Sequence, residues 1–529
     1  QYYTSDYSTK EETLSAANAF NEKIVEEGIV LLKNEDALPI PTPESDQSVS
    51  RKPKLSVFGH NSVNLVYGGS GAAGGDGSEG ASTIYDSLQA AGYEYNPVLK
   101  SFYESSAAGE VRDTPTMGDN TLAGVRIGET PIGNYTDAVR QSYSEYSDAA
   151  VVVLSRVGGE GFDLPRTMKT SLTDSGEKVE GARSAEDHYL QLDENEVNML
   201  REVMEHFDNI IIVINSSQTI ELGFLDDPSH YLYTDGNWAT PDQAQRQMDK
   251  IKGALWIGSP GKSGINALGR VMNGSVNPSG KTVDTYARDF TKDPTYNNFG
   301  TNNVLHGNEY YTINSKGNPM GREEYLVEYE EGIYVGYRYY ETRYITEGEN
   351  GDAWYQDNVV YPLGYGLSYT TFDWQLLNKE ELENMAVTPE STFTVKVRVT
   401  NTGDVAGKDV VQVYVNPPYY DGGIEKSEVV LVGFAKTPLL PAAKDATADN
   451  PNWCDLEIEV KAEYFASYDY NDANTNGHTG YEIEHGDYEL RVRRNAHDAV
   501  DAAVVNVPED IKMTEDVKTG ATVQNRFDD

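Results

Sequence analysis

A single cysteine, Cys454, stands in a chain of 529 residues, so no internal disulfide can form and cysteine usage says nothing of the redox compartment. Histidine is thin too: eight residues, scattered, with no H-E-x-x-H pair and no Cys/His cluster. No metal site is therefore expected, because a zinc-type centre needs such donors at short spacings. Basic residues are few, 42 Lys and Arg against 85 Asp and Glu, which leaves a formal charge of −43. That balance argues against a surface for nucleic acid or for anionic lipid. It favours solubility and tolerates a neutral substrate such as a sugar. Apolar runs are short, and none reaches the ~18 residues needed to span a bilayer. The opening residues of the sequence have no secretory-leader pattern, and none is expected within it. The chain opens on Gln1 rather than Met, from which we expect residues removed upstream. No G-x-S-x-G follows a strand, so a hydrolase triad is not indicated. There is no internal repeat and no low-complexity block.

What is present describes a globular chain. Its length predicts about three to four domains, and 38% hydrophobic residues with 48 glycines fit neither a disordered nor a fibrous protein. Residues 11–27 carry Leu14, Ala17, Phe20 and Ile24 at helical spacing and stop at Gly28, predicting an amphipathic helix. "GIVLLKN" (28–34), "KLSVFG" (54–59), "DAAVVVL" (148–154), "NIIIVIN" (209–215) and "GALWIG" (253–258) are continuous apolar strands, a sign of burial on both faces. Helical segments alternate with them. One, 192–207, starts with Asp193 as cap and Glu196 at the capping-box spacing. The alternation is that of βα units on a mostly parallel sheet.

The predicted fold class is thus an α/β sandwich with a mostly parallel sheet, followed by an all-β sandwich of fibronectin III type. Residues 1–11 form a lead and 12–285 the α/β sandwich domain. Residues 286–371, rich in Tyr, Asn and Gly, are expected to wrap that domain, with "EEGIYVGYRYYETRY" (330–344) as a strand or ribbon. Short period-two strands with turn punctuation place the β-sandwich at 372–497. Residues 498–529, polar and acidic, are expected to be a tail or linker.

Two loops are candidates for chemistry. "YGGSGAAGGDGSEG" (67–80) follows a strand and precedes a helix. It has no P-loop Lys, does not fit G-x-G-x-x-G, and its Asp76 and Glu79 would repel phosphate. A flexible or close-packing loop is the better reading. "RVGGEGFDLP" (156–165) sets Glu160 between glycines at the end of a core strand. Ligands of open α/β sheets bind outside the carboxyl ends of strands. Spacing alone leaves two readings open: a solvated loop carboxylate, or a general acid/base.

Several segments in order decide between them. "EGIVLLKNEDALPI" (27–40), "KLSVFGHNS", "GGSG", "LSRVGGEGFDLP", "GSPGKSGINALGRVMNGSVNPSGKTVDTY" (258–286), "EEGIYVGYRYYET", "YPLGYGLSYTTF" (361–372) and "VTNTGDVAGKDVVQVYV" resemble the C-terminal half of the family 3 glycoside hydrolases, the β-glucosidase family. The resemblance covers about residues 12–497. It implies a retaining mechanism with an Asp nucleophile and a Glu acid/base, and it makes Glu160 the acid/base. Gly68, Gly69, Ser70 and Arg156 are expected to line the leaving-group side, and Asp163 to orient the loop. No cofactor is implied.

In that family the nucleophile lies on a (β/α)8 barrel that usually precedes this half. "TSDYST" (4–9) imitates its motif but follows no apolar strand, so Asp6 is not taken as the nucleophile. The tail "TGATVQNRFDD" resembles the approach to a barrel in members with reversed domain order. The resemblance therefore implies a partner barrel, on the same or a companion chain, and a β-linked glucoside or cello-oligosaccharide as substrate, cleaved by an exo-acting β-glucosidase. Nucleic acid is not a partner; an oligomer is left open. An extracellular or surface-anchored bacterial setting is expected. The alternatives are a non-catalytic carbohydrate-binding or scaffold protein that keeps the fold, and a phosphate-binding regulator, which the charge disfavours.

Overall fold

The computed structural model describes residues 6–69, 74, 80–114, 124–160, 164–170, 177–227, 240–301, 325–327 and 329–523. Backbone contacts divide the chain into two units. The first comprises Gln1–Lys281, Gly366–Thr371 and Val405–Gly407; the second comprises Thr282–Tyr365, Phe372–Asp404 and Lys408–Asp529.

The first unit is built on a six-stranded sheet of β1 (Val30–Asn34), β2 (Lys54–Phe58), β3 (Glu94–Tyr95), β4 (Ala149–Arg156), β5 (Ile210–Ser216) and β6 (Ile251–Trp256), in the order β1-β6-β5-β4-β2-β3. All neighbours are parallel except β1, which runs antiparallel to β6 at the edge. Every residue of β4 and β5 is buried, as continuous apolar runs require when helices cover both faces. Because β2, β4, β5 and β6 are parallel, their carboxyl ends open on one edge. Helix α1 (Lys10–Gly28) precedes β1, α2 (Ile84–Ala90) follows β2, α3 (Glu194–His206) precedes β5, and α4 (Asn266–Met272) follows β6.

Helix α1 forms where its spacing predicts, with a capping box of Thr9 and Glu12. Its apolar stripe, however, does not face the core. Leu14, Phe20 and Ile24 are exposed. The helix is held instead through its polar face: Arg270 bonds Glu22 and Glu26 at 3.0 and 2.6 Å, and the Asn21 amide donates to the Pro260 carbonyl and the Ser263 hydroxyl at 3.1 Å. Periodicity identifies a helix; it does not say which face finds a partner.

The second unit corrects three expectations. Contacts group Thr282–Tyr365 with the β-rich unit rather than with the α/β sandwich, and only Gly366–Thr371 with the latter. The segment expected as a ribbon forms helix α5 (Tyr337–Thr346), which packs beside α6 (Gly351–Asn358). Its tyrosines prefer strands in isolation, but Tyr340 gains a buried seat against Trp354 and a bond from its hydroxyl to Asp293, 3.0 Å. The expected tail is partly sandwich: Ala499–Val507 is a strand with Ala503, Val505 and Val507 buried in period-two alternation.

The sandwich has β7 (Phe372–Leu376), β8 (Thr392–Asn401) and β11 (Trp453–Lys461) in one antiparallel sheet. The other holds β9 (Val410–Asn416), β10 (Val430–Lys436), β14 (Gly486–Arg493) and β15 (Ala499–Val507), in the order β10-β9-β14-β15. This is the arrangement of a fibronectin III-like sandwich. A smaller sheet pairs β12 (Ser467–Asp469) with β13 (Gly480–Ile483) and β16 (Ile511–Lys512).

Candidate functional site

The site expected from the sequence lies at the carboxyl edge of the first unit's sheet. Strand β4 ends at Arg156 and the chain leaves it as Val157, Gly158, Gly159 and Glu160, whose side chain is exposed. Ser70 and Asp163 lie outside the described residues. Gly68 and Gly69 are described and half-buried.

The structure brings the two glycine-rich loops together. A Cβ on Gly69 would stand 2.7 Å from the Gly158 carbonyl oxygen and 3.3 Å from the Gly159 Cα, so backbone rests on backbone and no side chain fits. A Cβ on Gly158 would in turn stand 2.5 Å from the Gln218 amide. Gly69 and Gly158 serve close approach.

Arg156 is corrected from a rim contact to an interior anchor. It is 0% exposed. Its guanidinium donates to both Glu196 carboxylate oxygens at 2.7 and 2.8 Å, and to the carbonyls of Tyr189 at 2.6 Å, Ser155 at 2.9 Å and Gln191. A buried Arg must be saturated in this way, which leaves nothing for a sugar. Glu196 is also the expected capping-box partner of Asp193: the Glu196 N–H donates to Asp193 at 2.7 Å, and the Asp193 N–H to Glu196 at 3.0 Å. Arg156 thus ties the end of β4 to the start of α3. Burial, with the charge of Glu196, pushes the Asp193 carboxyl well up.

Sequence reasoning missed Asn215, which joins the edge loops. It is fully buried at the end of β5. Its amide donates to the carbonyls of Val66 at 2.9 Å and Gly258 at 2.8 Å, while its oxygen accepts from the Val66 N–H at 2.7 Å and the Ser155 hydroxyl at 3.0 Å. One side chain therefore fixes the loops after β2 and β6 against β4. The only signal was an Asn ending an apolar strand. The Val157 N–H donates to the Tyr189 hydroxyl at 3.0 Å and steadies the first step of the Glu160 loop.

Glu129 was missed as well. It is buried beside the end of β2, accepting from the His60 N–H at 3.0 Å and the Thr130 N–H at 2.8 Å. Burial pushes its carboxyl up to about 8. It is 3% exposed, whereas Glu160 is exposed.

Glu202, Glu205 and His206 on α3 bring ligand atoms within 4.8 Å of one another, but Glu202 is engaged by Arg140 at 2.8 Å. A separate concavity of about 520 Å³ is lined by Lys178, Arg183, Asp187, Glu194 and Arg201, among others, and by none of the residues expected at the site. Chemically, the edge offers an exposed carboxyl on a loop whose roots are fixed. Such a group can give a proton to, or take one from, an oxygen placed against it.

Residues 29–337 match the family model described as the glycosyl hydrolase family 3 C-terminal domain. A β-glucosidase of Ruminococcus albus is 28% identical over 475 residues, covering 89% of this chain and 39% of that protein. β-Glucosidase A of Butyrivibrio fibrisolvens is 28% identical over 491 residues, covering 89% of this chain and 49% of that protein. Among solved structures, a β-glucosidase from Paenibacillus barengoltzii superimposes with a TM-score of 0.65 at 26% identity, over 93% of this chain and 44% of that one. β-Glucosidase 3B from Thermotoga neapolitana, in complex with glycerol, gives 0.63 at 25% identity, over 96% and 56%. The chain spans less than half the length of these curated relatives.

Proposed function

Since the chain belongs to glycosyl hydrolase family 3 through its C-terminal domain, we propose that it supplies the general acid/base of a retaining β-glycosidase, with Glu160 in that role. The observation that carries this reading is the placement of Glu160: an exposed carboxyl at the carboxyl end of β4, on a loop seated against Gly69 and rooted by Tyr189. The names of the relatives support a β-glucoside as substrate.

In the proposed reaction Glu160 protonates the departing glycosidic oxygen while an Asp attacks the anomeric carbon. Glu160 then takes a proton from the water that releases the sugar. The two carboxyls of a retaining enzyme stand ~5–5.5 Å apart. We place the Asp on a (β/α)8 barrel, joined to this chain or carried by a companion, so the chain alone should not turn over a glycoside.

The test is Glu160→Ala in the protein complete with its barrel. Turnover of cellobiose, whose leaving group is the poorly departing 4-hydroxyl of glucose, should fall by about 10²–10⁴-fold. Activated aryl glycosides should be slowed less at the first step, and azide should restore the release step. An unchanged rate on cellobiose would overturn the assignment. Sugar binding without turnover in the complete protein would favour the non-catalytic alternative.

A further inference from the structure

The second unit holds more buried negative charge than its own cations balance. β12 and β13 form an antiparallel hairpin in which Ser467 faces Glu482 and Asp469 faces Gly480. Asp469 and Glu482 are therefore diagonal neighbours on one face. They are 1% and 0% exposed, and Glu484, two residues on, is 2% exposed. Lys426 is buried among them, but it is committed to Glu484 and to the Pro418 carbonyl, 2.8 Å away.

Each of the two remaining carboxylates has one satisfied oxygen and one orphan. Asp469 Oδ1 accepts from the N–H groups of Asn471 at 3.1 Å and Ala473 at 3.0 Å. Glu482 Oε2 accepts from the Asn476 amide. Asp469 Oδ2 and Glu482 Oε1 are sealed from solvent and accept nothing. Two carboxyl oxygens without a donor are costly in a protein interior. Burial pushes the Glu482 carboxyl up, against the lowering effect of Asn476, Asn474 and His478, and the charge of Asp469 adds to the rise.

The loop over the hairpin, "YNDANTNGHT" (470–479), carries a side-chain oxygen at seven of its ten positions, the exceptions being Ala473, Gly477 and His478. It is folded on itself: Asp472 accepts from the Gly477 N–H at 2.9 Å, Asn474 from the Asn476 N–H at 3.2 Å, and Asn476 from the His478 N–H at 2.9 Å. Asp472 and Thr475 take left-handed φ of 54° and 58° to allow it.

We propose that the orphan oxygens of Asp469 and Glu482 bind a Ca²⁺ ion beneath this loop. The two orphan donors are both carboxylate oxygens, which select a hard cation; the ring of His478 in the same loop is turned to the Tyr481 carbonyl, 3.2 Å away. Ca²⁺ accepts the irregular oxygen set that such a hairpin offers, whereas Mg²⁺ demands near-ideal octahedral ligands and keeps its waters. The ion supplies the positive charge that Lys426 cannot, and it locks β12, β13 and their loop to the sandwich fold. This site is independent of Glu160 and of the glycosidase reading.

The experiment is thermal unfolding of the full chain, in chelator and in excess Ca²⁺ or Mg²⁺. With a Kd on the order of 10⁻⁴ M, about 10 mM Ca²⁺ is ~100-fold over Kd and should raise Tm by about 5 °C. Mg²⁺ should do far less. Tb³⁺ should bind in place of Ca²⁺ and luminesce on tyrosine excitation, with Tyr468 and Tyr481 on the same hairpin as antennae. Glu482→Gln and Asp469→Asn should each abolish both responses. In chelator, Glu482→Gln should melt no lower than wild type, because it removes one of two unpaired like charges. The proposal is overturned if Tm is the same in chelator and Ca²⁺ with no Tb³⁺ signal. It is equally overturned if both variants keep the Ca²⁺ shift. A Tm that rises on acidification, with or without Ca²⁺, would overturn it by showing that a proton fills the gap.

Discussion

Arg156 offers the sharpest test of the structural account, because the sequence reading places it against a sugar and the structure places it inside. Consider Arg156→Met, which keeps the bulk of the side chain and removes its charge. The carboxylate of Glu196, 1% exposed, loses both charge-assisted bonds at 2.7 and 2.8 Å. Removing one partner of a buried ion pair costs about 3–5 kcal/mol. The Tyr189, Ser155 and Gln191 carbonyls lose a donor too, so the upper end of that range is expected. Urea unfolding at about pH 7 should show the midpoint falling with the slope unchanged.

The deficit should also depend on pH. Asp193, beside the stranded Glu196, has its carboxyl pushed well up by burial and by the charge of Glu196, and the Arg156 guanidinium that opposes this rise is gone in the variant. A carboxyl whose folded-state pKa is raised contributes stability below its unfolded pKa and loses it as pH rises. The gap between variant and wild type should therefore narrow as pH falls. The double variant Arg156→Met/Glu196→Gln keeps the capping box and removes the stranded charge, so it should recover about 2 kcal/mol or more of the loss. The reasoning is refuted if Arg156→Met costs less than about 1 kcal/mol, or if the double variant is no better than the single.

Gly69→Ala places a methyl 2.7 Å from the Gly158 carbonyl oxygen, and backbone cannot yield as a side-chain end can. It should cost about 1–3 kcal/mol and, in the complete enzyme of the proposed reading, about 10²-fold in turnover through displacement of the Glu160 loop. Equal activity at equal stability would show that the contact is dispensable. Burial pushes the Glu129 carboxyl up to about 8 from an ordinary 4.5, so its contribution to stability is full below about pH 4.5 and is lost as pH rises toward about 8. Glu129→Gln should flatten that part of the pH–stability curve, worth about 3–5 kcal/mol; an unchanged curve would remove Glu129 as its source.

Much of the first unit was legible. β2, β4, β5 and β6 are unbroken apolar runs, and such runs carry their own burial on both faces. The cap at Asp193 and Glu196 was readable because capping is local, needing only a short spacing. The candidate acid/base was legible through an ordered match of motifs, since Gly-Gly-Glu-Gly by itself leaves a solvated loop carboxylate open. Asn215 and Glu129 were invisible. Their partners, Val66, Gly258 and His60, are remote in sequence, and a polar residue in a loop or at a strand end has no local pattern that announces such bonds.

The misreadings have the same origin. Helix α1 was recognised by its period, but Arg270 decides which face is held. Tyr337–Thr346 has strand-like composition, yet it is a helix whose side chains are held by distant partners, among them Trp354 against Tyr340 and Tyr355 on Glu341. Ala499–Val507 has an acidic, tail-like setting, yet β14 offers it a ladder from Gly486↔Val507 to Arg493↔Ala499. The sequence by itself determined the elements whose free energy is local or set by continuous apolarity: core strands, caps, turn glycines and the exposed Glu160 loop. Tertiary structure alone decided which charges are paired. A guanidinium such as that of Arg156, or an orphan oxygen such as that of Glu482, takes its energy from the groups and the dielectric around it, and those come from distant parts of the chain.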